Sequence, residues 1–147
     1  MVSQSLEQTE KIANQFIAIL SPYLDRAAVV GLYGNLGAGK TTLTQFLAKS
    51  LGVTETITSP TFVIEKIYEL PKVNTAQKFT HLVHIDAYRL EKSTELLKLG
   101  FSEIISDNNN LVIIEWPEKI ADILPDHIKI HIKALEKENY REIEIEM

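Results

Sequence analysis

The stretch Ala27-Ala-Val-Val-Gly-Leu-Tyr33 runs without a gap into Gly34-Asn35-Leu36-Gly37-Ala38-Gly39-Lys40-Thr41-Thr42. The first part is a short apolar run with β-branched residues and no alternation, the pattern of a strand buried on both faces. The second part matches G-x-x-x-x-G-K-[ST]. Beyond it, Leu43, Phe46, Leu47 and Leu51 recur at helical spacing, and Gly52 supplies a stop. Strand, glycine loop and amphipathic helix form the context in which backbone amides cradle phosphate groups. Gly34, Gly37 and Gly39 are expected to adopt backbone angles closed to other residues and to let amides approach phosphate oxygens. The free N–H groups and positive dipole end of the helix aim at the same phosphates. Lys40 supplies a point charge for the β- and γ-phosphates, and the Thr41 hydroxyl a ligand for Mg²⁺. Asn35, Leu36, Ala38 and Thr42 complete the phosphate-binding set. The bland alternative is a glycine-rich turn beside a solvated lysine. No Asn/Thr-Lys-x-Asp tetrad of the guanine-specific kind occurs, which favours ATP as the nucleotide.

The rest of the chain fits around this unit. Ser5-Leu-Glu-Gln8 reads as a capping box, and Ile12, Ala13, Phe16, Ile17 and Leu20 continue it as one apolar helical stripe. Thr58-Ser-Pro-Thr-Phe62 is a loop signal. Phe62 to Leu70 reads as a strand, Pro71 to Lys78 as a polar, mobile loop, and Leu82 to Asp86 as a second apolar strand. Thr94 to Leu99 is expected to be a short helix closed by Gly100, and Asp107 to Asn110 a turn. Leu111 to Ile114 is the most apolar strand, and Pro117 to Leu124 a short helix. Ile128, Ile130 and Ile132 alternate with polar residues, as do Ile143 and Ile145, giving two half-buried strands joined by a turn near Asn139. The order predicts an α/β protein: a single-domain P-loop NTPase fold over residues 1–147, with a mixed, mainly parallel central sheet flanked by helices and an antiparallel C-terminal hairpin.

Composition narrows the class. The 147 residues suit one domain with a real core. There is no cysteine, which removes disulfides, thiolate metal sites and cysteine catalysis. A net charge of −5 disfavours tight stand-alone binding to nucleic acid. No apolar run approaches the roughly 18 residues of a membrane span, and the first residues lack the basic and apolar parts of a signal peptide. The expectation is a cytoplasmic protein.

A phosphate-hydrolysing site of this type needs an acid at a neighbouring strand tip. Two strands end in acids: Leu111-Val-Ile-Ile114 runs into Glu115, and Leu82-Val-His-Ile85 into Asp86. Both lie at the carboxyl end of an apolar run, where open α/β sheets keep their ligands. Glu115 follows the more apolar strand and is the better candidate for the Mg²⁺ shell. Asp86 is then available to orient the attacking water. For either acid the bland alternative is a carboxylate capping the next turn. Thr61 sits where a switch loop could reach the γ-phosphate, or is simple turn chemistry. Only three arginines occur, Arg26, Arg89 and Arg141. Arg89, three residues past Asp86, is the one near the expected site; contact with phosphate, with a partner or with a surface acid remain its three readings. Trp116 is placed to neighbour the nucleotide. His81 and His84 belong on strand faces and His131 on the polar face of the hairpin.

Gly-Asn-Leu-Gly-Ala-Gly-Lys-Thr-Thr (34–42), Ser-Pro-Thr-Phe (59–62), His-Ile-Asp-Ala-Tyr-Arg (84–89) and Glu-Trp-Pro-Glu (115–118) occur in this order. Together they resemble the TsaE (YjeE) family of bacterial ATPases required for threonylcarbamoyladenosine modification of tRNA. The resemblance spans the first helix to about Pro125. It implies a cytoplasmic Mg²⁺-dependent ATPase that works with the TsaB–TsaD heterodimer; with no obvious arginine finger except Arg89, its basal hydrolysis is expected to be slow and to respond to partners. That complex modifies adenosine 37 of tRNAs reading ANN codons; tRNA would meet this chain only through the complex, and the chain alone would be a monomer. By motif position, Lys40 binds phosphate, Thr41 and Glu115 hold Mg²⁺, Thr61 belongs to a switch-like segment and Asp86 to the hydrolysis machinery. Leu6 to Thr9 are candidates for the segment beside adenine. Two residues depart from the family pattern: Asn35 replaces a common Asp, and Ala87 a larger apolar residue. Two other readings compete, a small-molecule kinase, which the scarcity of arginine opposes, and a nucleotide-gated binding module without hydrolysis.

Overall fold

The computed structural model describes residues 1–57, 64–72 and 78–147. In chain order the elements are β1 (Val2–Ser3), α1 (Leu6–Ile19), β2 (Ala28–Tyr33), α2 (Lys40–Ser50), β3 (Glu65–Glu69), β4 (His81–Asp86), α3 (Thr94–Leu97), α4 (Phe101–Ser106), β5 (Asn110–Glu115), a 3-10 turn (Pro117–Ile120), β6 (Ile128–Ala134) and β7 (Arg141–Glu146). The strands form one sheet in the order β1-β7-β6-β2-β5-β4-β3. β6, β2, β5 and β4 pair in parallel; β3 joins β4, and β7 joins β6 and β1, antiparallel. The mixed sheet with a parallel centre and an antiparallel terminal hairpin is therefore present as expected.

The apolar runs work because parallel strands are buried on both faces. Alternate residues feed two cores. Ala28, Val30, Leu32, Leu82, Leu111 and Ile113 pack under α1 and α2, with Leu43 and Leu47 of α2 and Phe16 of α1. Val29, Val83, Ile85, Val112 and Ile114 pack on the other face, beneath Leu96, Phe101 and Ile120. Side chains alternate with period two. His84 and Asp86 therefore share the face of Leu82, and Glu115 the face of Ile113. All three point to the side on which α2 begins.

Local signals explain the ends of the elements. Ser5 caps α1, its hydroxyl accepting from the Gln8 amide at 3.1 Å, while Gln8 Oε1 accepts from the Gln4 amide at 2.7 Å. Asn139, at the turn between β6 and β7, is left-handed with φ +64. Several expectations change. Gly100 does not simply close a helix through Leu99. Its φ of +86 turns the chain into α4, whose Phe101 is fully buried. The helix expected over Pro117 to Leu124 is only a 3-10 turn ending at Ile120. β1 has two residues, too few to show a period. The strand expected from Phe62 starts at Glu65; residues 58–63, with the loop signal there, lie outside the described residues, as do residues 73–77 of the Pro71–Lys78 loop. Among the described residues no helix is long and apolar enough to cross a membrane.

Candidate nucleotide site

The order β2-β5-β4 sets three carboxyl ends side by side. Leu32 is in register with Glu115, and Glu115 with Asp86. Neighbouring strands lie about 4.8 Å apart. The loop leaving β2 therefore stands beside both acids. A cleft of about 310 Å³ opens there, lined by Gly37, Gly39, Lys40, Thr41 and Thr42 from the loop, Asp86, Tyr88, Glu115 and Trp116 from β4 and β5, and Arg141 from β7, with Leu36 at its rim. A larger hollow of about 480 Å³ lies beyond the loop against β6 and β7, and Lys40, Thr41 and Glu115 do not line it. Lys40, Thr41, Asp86 and Glu115 all line the smaller one.

The loop is shaped by two different glycine requirements. Gly39 adopts φ +105 and Gly37 φ +81, conformations that cost a side-chain residue energy. Gly34 is not in that region. A Cβ there would strike the Ile132 carbonyl, so the need is for close approach to β6 rather than for special angles. Gly39 leaves the first turn of α2 without a side-chain cap. The amides of that turn are thus suited to an anion. The Ala38 amide is used inside the loop, donating to the Asn35 carbonyl at 3.0 Å, and the Ala38 side chain is in the core.

Lys40 is buried. Its ammonium donates to the carbonyls of Gly34 and of Asn35, the latter at 3.0 Å, and lies 4.0 Å from the centre of the Trp116 ring. Burial pushes the ammonium below the ordinary lysine range, opposed by the negative charges of Glu115, Glu118 and Asp86. Trp116 has φ +60, a left-handed turn directly after β5, which aims the ring back at the cleft. Tyr88 packs on it with centroids 5.0 Å apart.

Glu115 is 2 % exposed. Its Oε1 accepts from the Thr41 hydroxyl at 2.9 Å, and its Oε2 lies 2.7 Å from His84 Nε2. An ionised carboxylate only accepts, so Nε2 is the donor and the imidazole fixes the carboxylate's orientation. Buried carboxylates need such partners. The two oxygens of Thr41 and Glu115 meet at one point of the cleft. A hydroxyl and a carboxylate are hard oxygen donors that fit Mg²⁺, which takes few protein ligands and completes its shell with phosphate oxygens and water. Asp86 is half-buried, and its Oδ1 accepts from the Tyr88 amide at 3.0 Å, so it faces the cleft on a fixed backbone.

The cleft therefore joins Lys40, Thr41, Glu115 and Asp86. Thr61 lies outside the described residues. Leu6 to Thr9 open α1 and do not line the cleft. Arg89 is exposed and does not line it either, although it is not without partners. Two participants escaped the sequence reading. His84 read only as a strand-face residue; its spacing of two from Asp86, on the same face, was the signal available. Arg141 carries no local motif, and only the pairing of β7 with β6 brings it to the loop.

A Gly-rich loop between a parallel strand and a helix, with strand-tip acids beside it, defines a P-loop protein of the nucleotide-binding class. The chain belongs to the TsaE family: the family model described as threonylcarbamoyl adenosine biosynthesis protein TsaE matches residues 3–143. Among its relatives, the tRNA threonylcarbamoyladenosine biosynthesis protein TsaE of Treponema pallidum is 33% identical over 145 residues, covering 98% of this chain and 97% of the relative. The protein of that name from Streptomyces coelicolor is 38% identical over 115 residues, covering 77% and 73%. The crystal structure of Bacillus subtilis YdiB superimposes with a TM-score of 0.72 at 30% identity, covering 97% of this chain and 80% of the other.

Proposed function

We propose that this chain is one ATPase domain that binds and hydrolyses Mg²⁺-ATP in support of threonylcarbamoyladenosine formation at position 37 of tRNAs reading ANN codons. It does so in the cytoplasm as a monomer that joins a TsaB–TsaD heterodimer, and meets tRNA only through that complex. The observation that carries the reading is the hydrogen bond from Thr41 to the buried Glu115 carboxylate, in the cleft that also holds Lys40 and Asp86.

In this reading the backbone of residues 34–42 and the first turn of α2 bind the phosphates, and Lys40 adds a charge at the β- and γ-phosphates. Mg²⁺ held by Thr41 and Glu115 would supply charge neutralisation of the phosphate oxygens. His84 holds Glu115 in one orientation. Asp86 orients the water that attacks the γ-phosphorus while the bond to the β–γ bridging oxygen breaks. Positioning dominates such chemistry. No second basic wall of several arginines is available to clamp a second phosphorylated substrate, which weighs against a small-molecule kinase.

The test is copurification with a TsaB–TsaD complex in the presence and absence of ATP, followed by single-turnover hydrolysis. Retention together with phosphate release accelerated by the complex is expected. Phosphate transfer to an acceptor other than water would favour the kinase, and retention without any hydrolysis a nucleotide-gated binding module.

A further inference from the structure

Of the three arginines, two are accounted for away from the cleft or at its outside. Arg26 donates to the Asp126 carbonyl at 3.1 Å and lies over the Tyr23 ring, and Arg89 is exposed. Arg141 is different. It opens β7, in register with Ser3 on one side and Ala134 on the other, and its half-buried side chain crosses to the phosphate loop. A Cβ built on Gly39 would lie 2.8 Å from Arg141 Nε and 3.6 Å from Cδ and Cζ. The guanidinium therefore rests on the bare α-carbon of the residue that precedes Lys40. It lines the same cleft as Lys40, Thr41, Asp86 and Glu115.

Its partners are few for a half-buried cation. Among the described residues its hydrogen bond is from Nη1 to the Tyr140 carbonyl at 3.2 Å, and no carboxylate forms an ion pair with it. A guanidinium has five N–H donors in a planar fork suited to phosphate oxygens. Burying part of such a charge without an anion is costly unless an anion arrives. The sheet order also fixes the side from which it comes. β6 and β7 lie on one side of β2, and β5 and β4, which carry Glu115 and Asp86, on the other.

We infer that Arg141 is a phosphate-binding residue supplied by the C-terminal hairpin, contacting the phosphates common to ATP and ADP from the wall opposite Glu115 and Asp86. This rests on the reading of the loop as a nucleotide site. Approach over Gly39, at the start of α2, places the contact on the part of the phosphate chain that both nucleotides share. The side chain also explains the second demand on residue 39, which must combine a positive φ with room for a guanidinium.

The experiment is calorimetric titration of the whole chain with Mg²⁺-ADP and with Mg²⁺ and a non-hydrolysable ATP analogue, at several salt concentrations. Wild type, Arg141→Gln and Lys40→Ala are compared, with thermal unfolding without nucleotide to verify folding. Arg141→Gln is expected to weaken both nucleotides by the same factor, roughly ten- to a hundredfold, as for loss of a charged hydrogen bond. Its affinity is also expected to depend less steeply on salt, a change that loss of packing alone would not produce. If Arg141→Gln does not fold, Arg141→Met, which keeps the aliphatic stem against Gly39, carries the same test. Wild-type affinity, a loss confined to the ATP analogue, or a loss with unchanged salt dependence would each overturn the inference. If Lys40→Ala keeps its affinity, the nucleotide-site reading itself fails. If Lys40→Ala loses binding while Arg141→Gln matches wild type, only the inference about Arg141 fails.

Discussion

The two walls of the cleft are built on different principles. On the β4–β5 side, the acids come from parallel strands in register, and side-chain hydrogen bonds tie them in place: Thr41 to Glu115 at 2.9 Å and Glu115 to His84 at 2.7 Å. On the β6–β7 side Arg141 reaches the loop by packing over Gly39, and among the described residues its hydrogen-bond partner is a backbone carbonyl. A wall tied by hydrogen bonds holds its charges where a metal ion and a water need fixed geometry. A wall held by packing and one hydrogen bond leaves its donors available to a ligand. Under the proposed function the loop between the walls would use both, because Mg²⁺-ATP brings negative charge together with a metal.

That contrast breaks down if the loop is not the element both walls serve. Lys40→Ala is expected to abolish productive ATP binding, the largest effect of all, since its ammonium is the loop's own charge. Titration calorimetry measures it. Next comes the division of labour on the acid wall. Asp86→Ala is expected to fold and to bind ATP close to normally, while partner-stimulated turnover falls by roughly two orders of magnitude or more, as for loss of a group that positions or polarises water. Rapid-quench hydrolysis beside an affinity measurement decides; affinity falling in step with rate would make Asp86 a ground-state ligand.

The hairpin wall is tested by its core. Ile143, 1 % exposed in β7, anchors the strand that delivers Arg141. Ile143→Ala is expected to cost about 2–5 kcal/mol of stability, read from denaturant unfolding. The smallest effect belongs to Glu65, at the start of β3. Burial raises its carboxyl above the usual range, and among the described residues its Oε2 has no hydrogen-bond partner. The native state therefore keeps this proton to higher pH than the unfolded chain, so the group's contribution to stability falls as pH rises from the ordinary carboxylate pKa through the raised one. Glu65→Gln should raise the melting temperature slightly at neutral pH, and the gain should vanish below the ordinary carboxylate pKa.

The acid wall was legible in the sequence because its determinants are local. Apolar runs ending in Glu115 and Asp86 define strands, tips and faces without knowledge of neighbours, and the G-x-x-x-x-G-K-[ST] match fixes what stands beside them. The alternation of Ile128 to Ile132 and of Ile143 and Ile145 gave the hairpin as strands. It did not give the reach of Arg141, because contact with Gly39 depends on β6 lying beside β2, a pairing between residues about one hundred positions apart. His84 was hidden for a related reason: a polar residue in an apolar run shows its face but not its partner. At Gly34 the motif does not show that the steric constraint is the Ile132 backbone of β6 and not a positive φ. α4 followed a glycine that reads as a stop and is in fact a left-handed entry into Phe101–Ser106.

The meeting of Thr41 and Glu115 is the centre of the proposed site. The deciding measurement is ATP affinity with and without Mg²⁺ in wild type, Thr41→Ala and Glu115→Ala. Mg²⁺ should tighten ATP binding to the wild type, have much less effect on either variant, and leave both without hydrolysis. The same Mg²⁺ enhancement in all three proteins would show that this hydroxyl and this carboxylate do not hold the ion, and would contradict the proposed metal site.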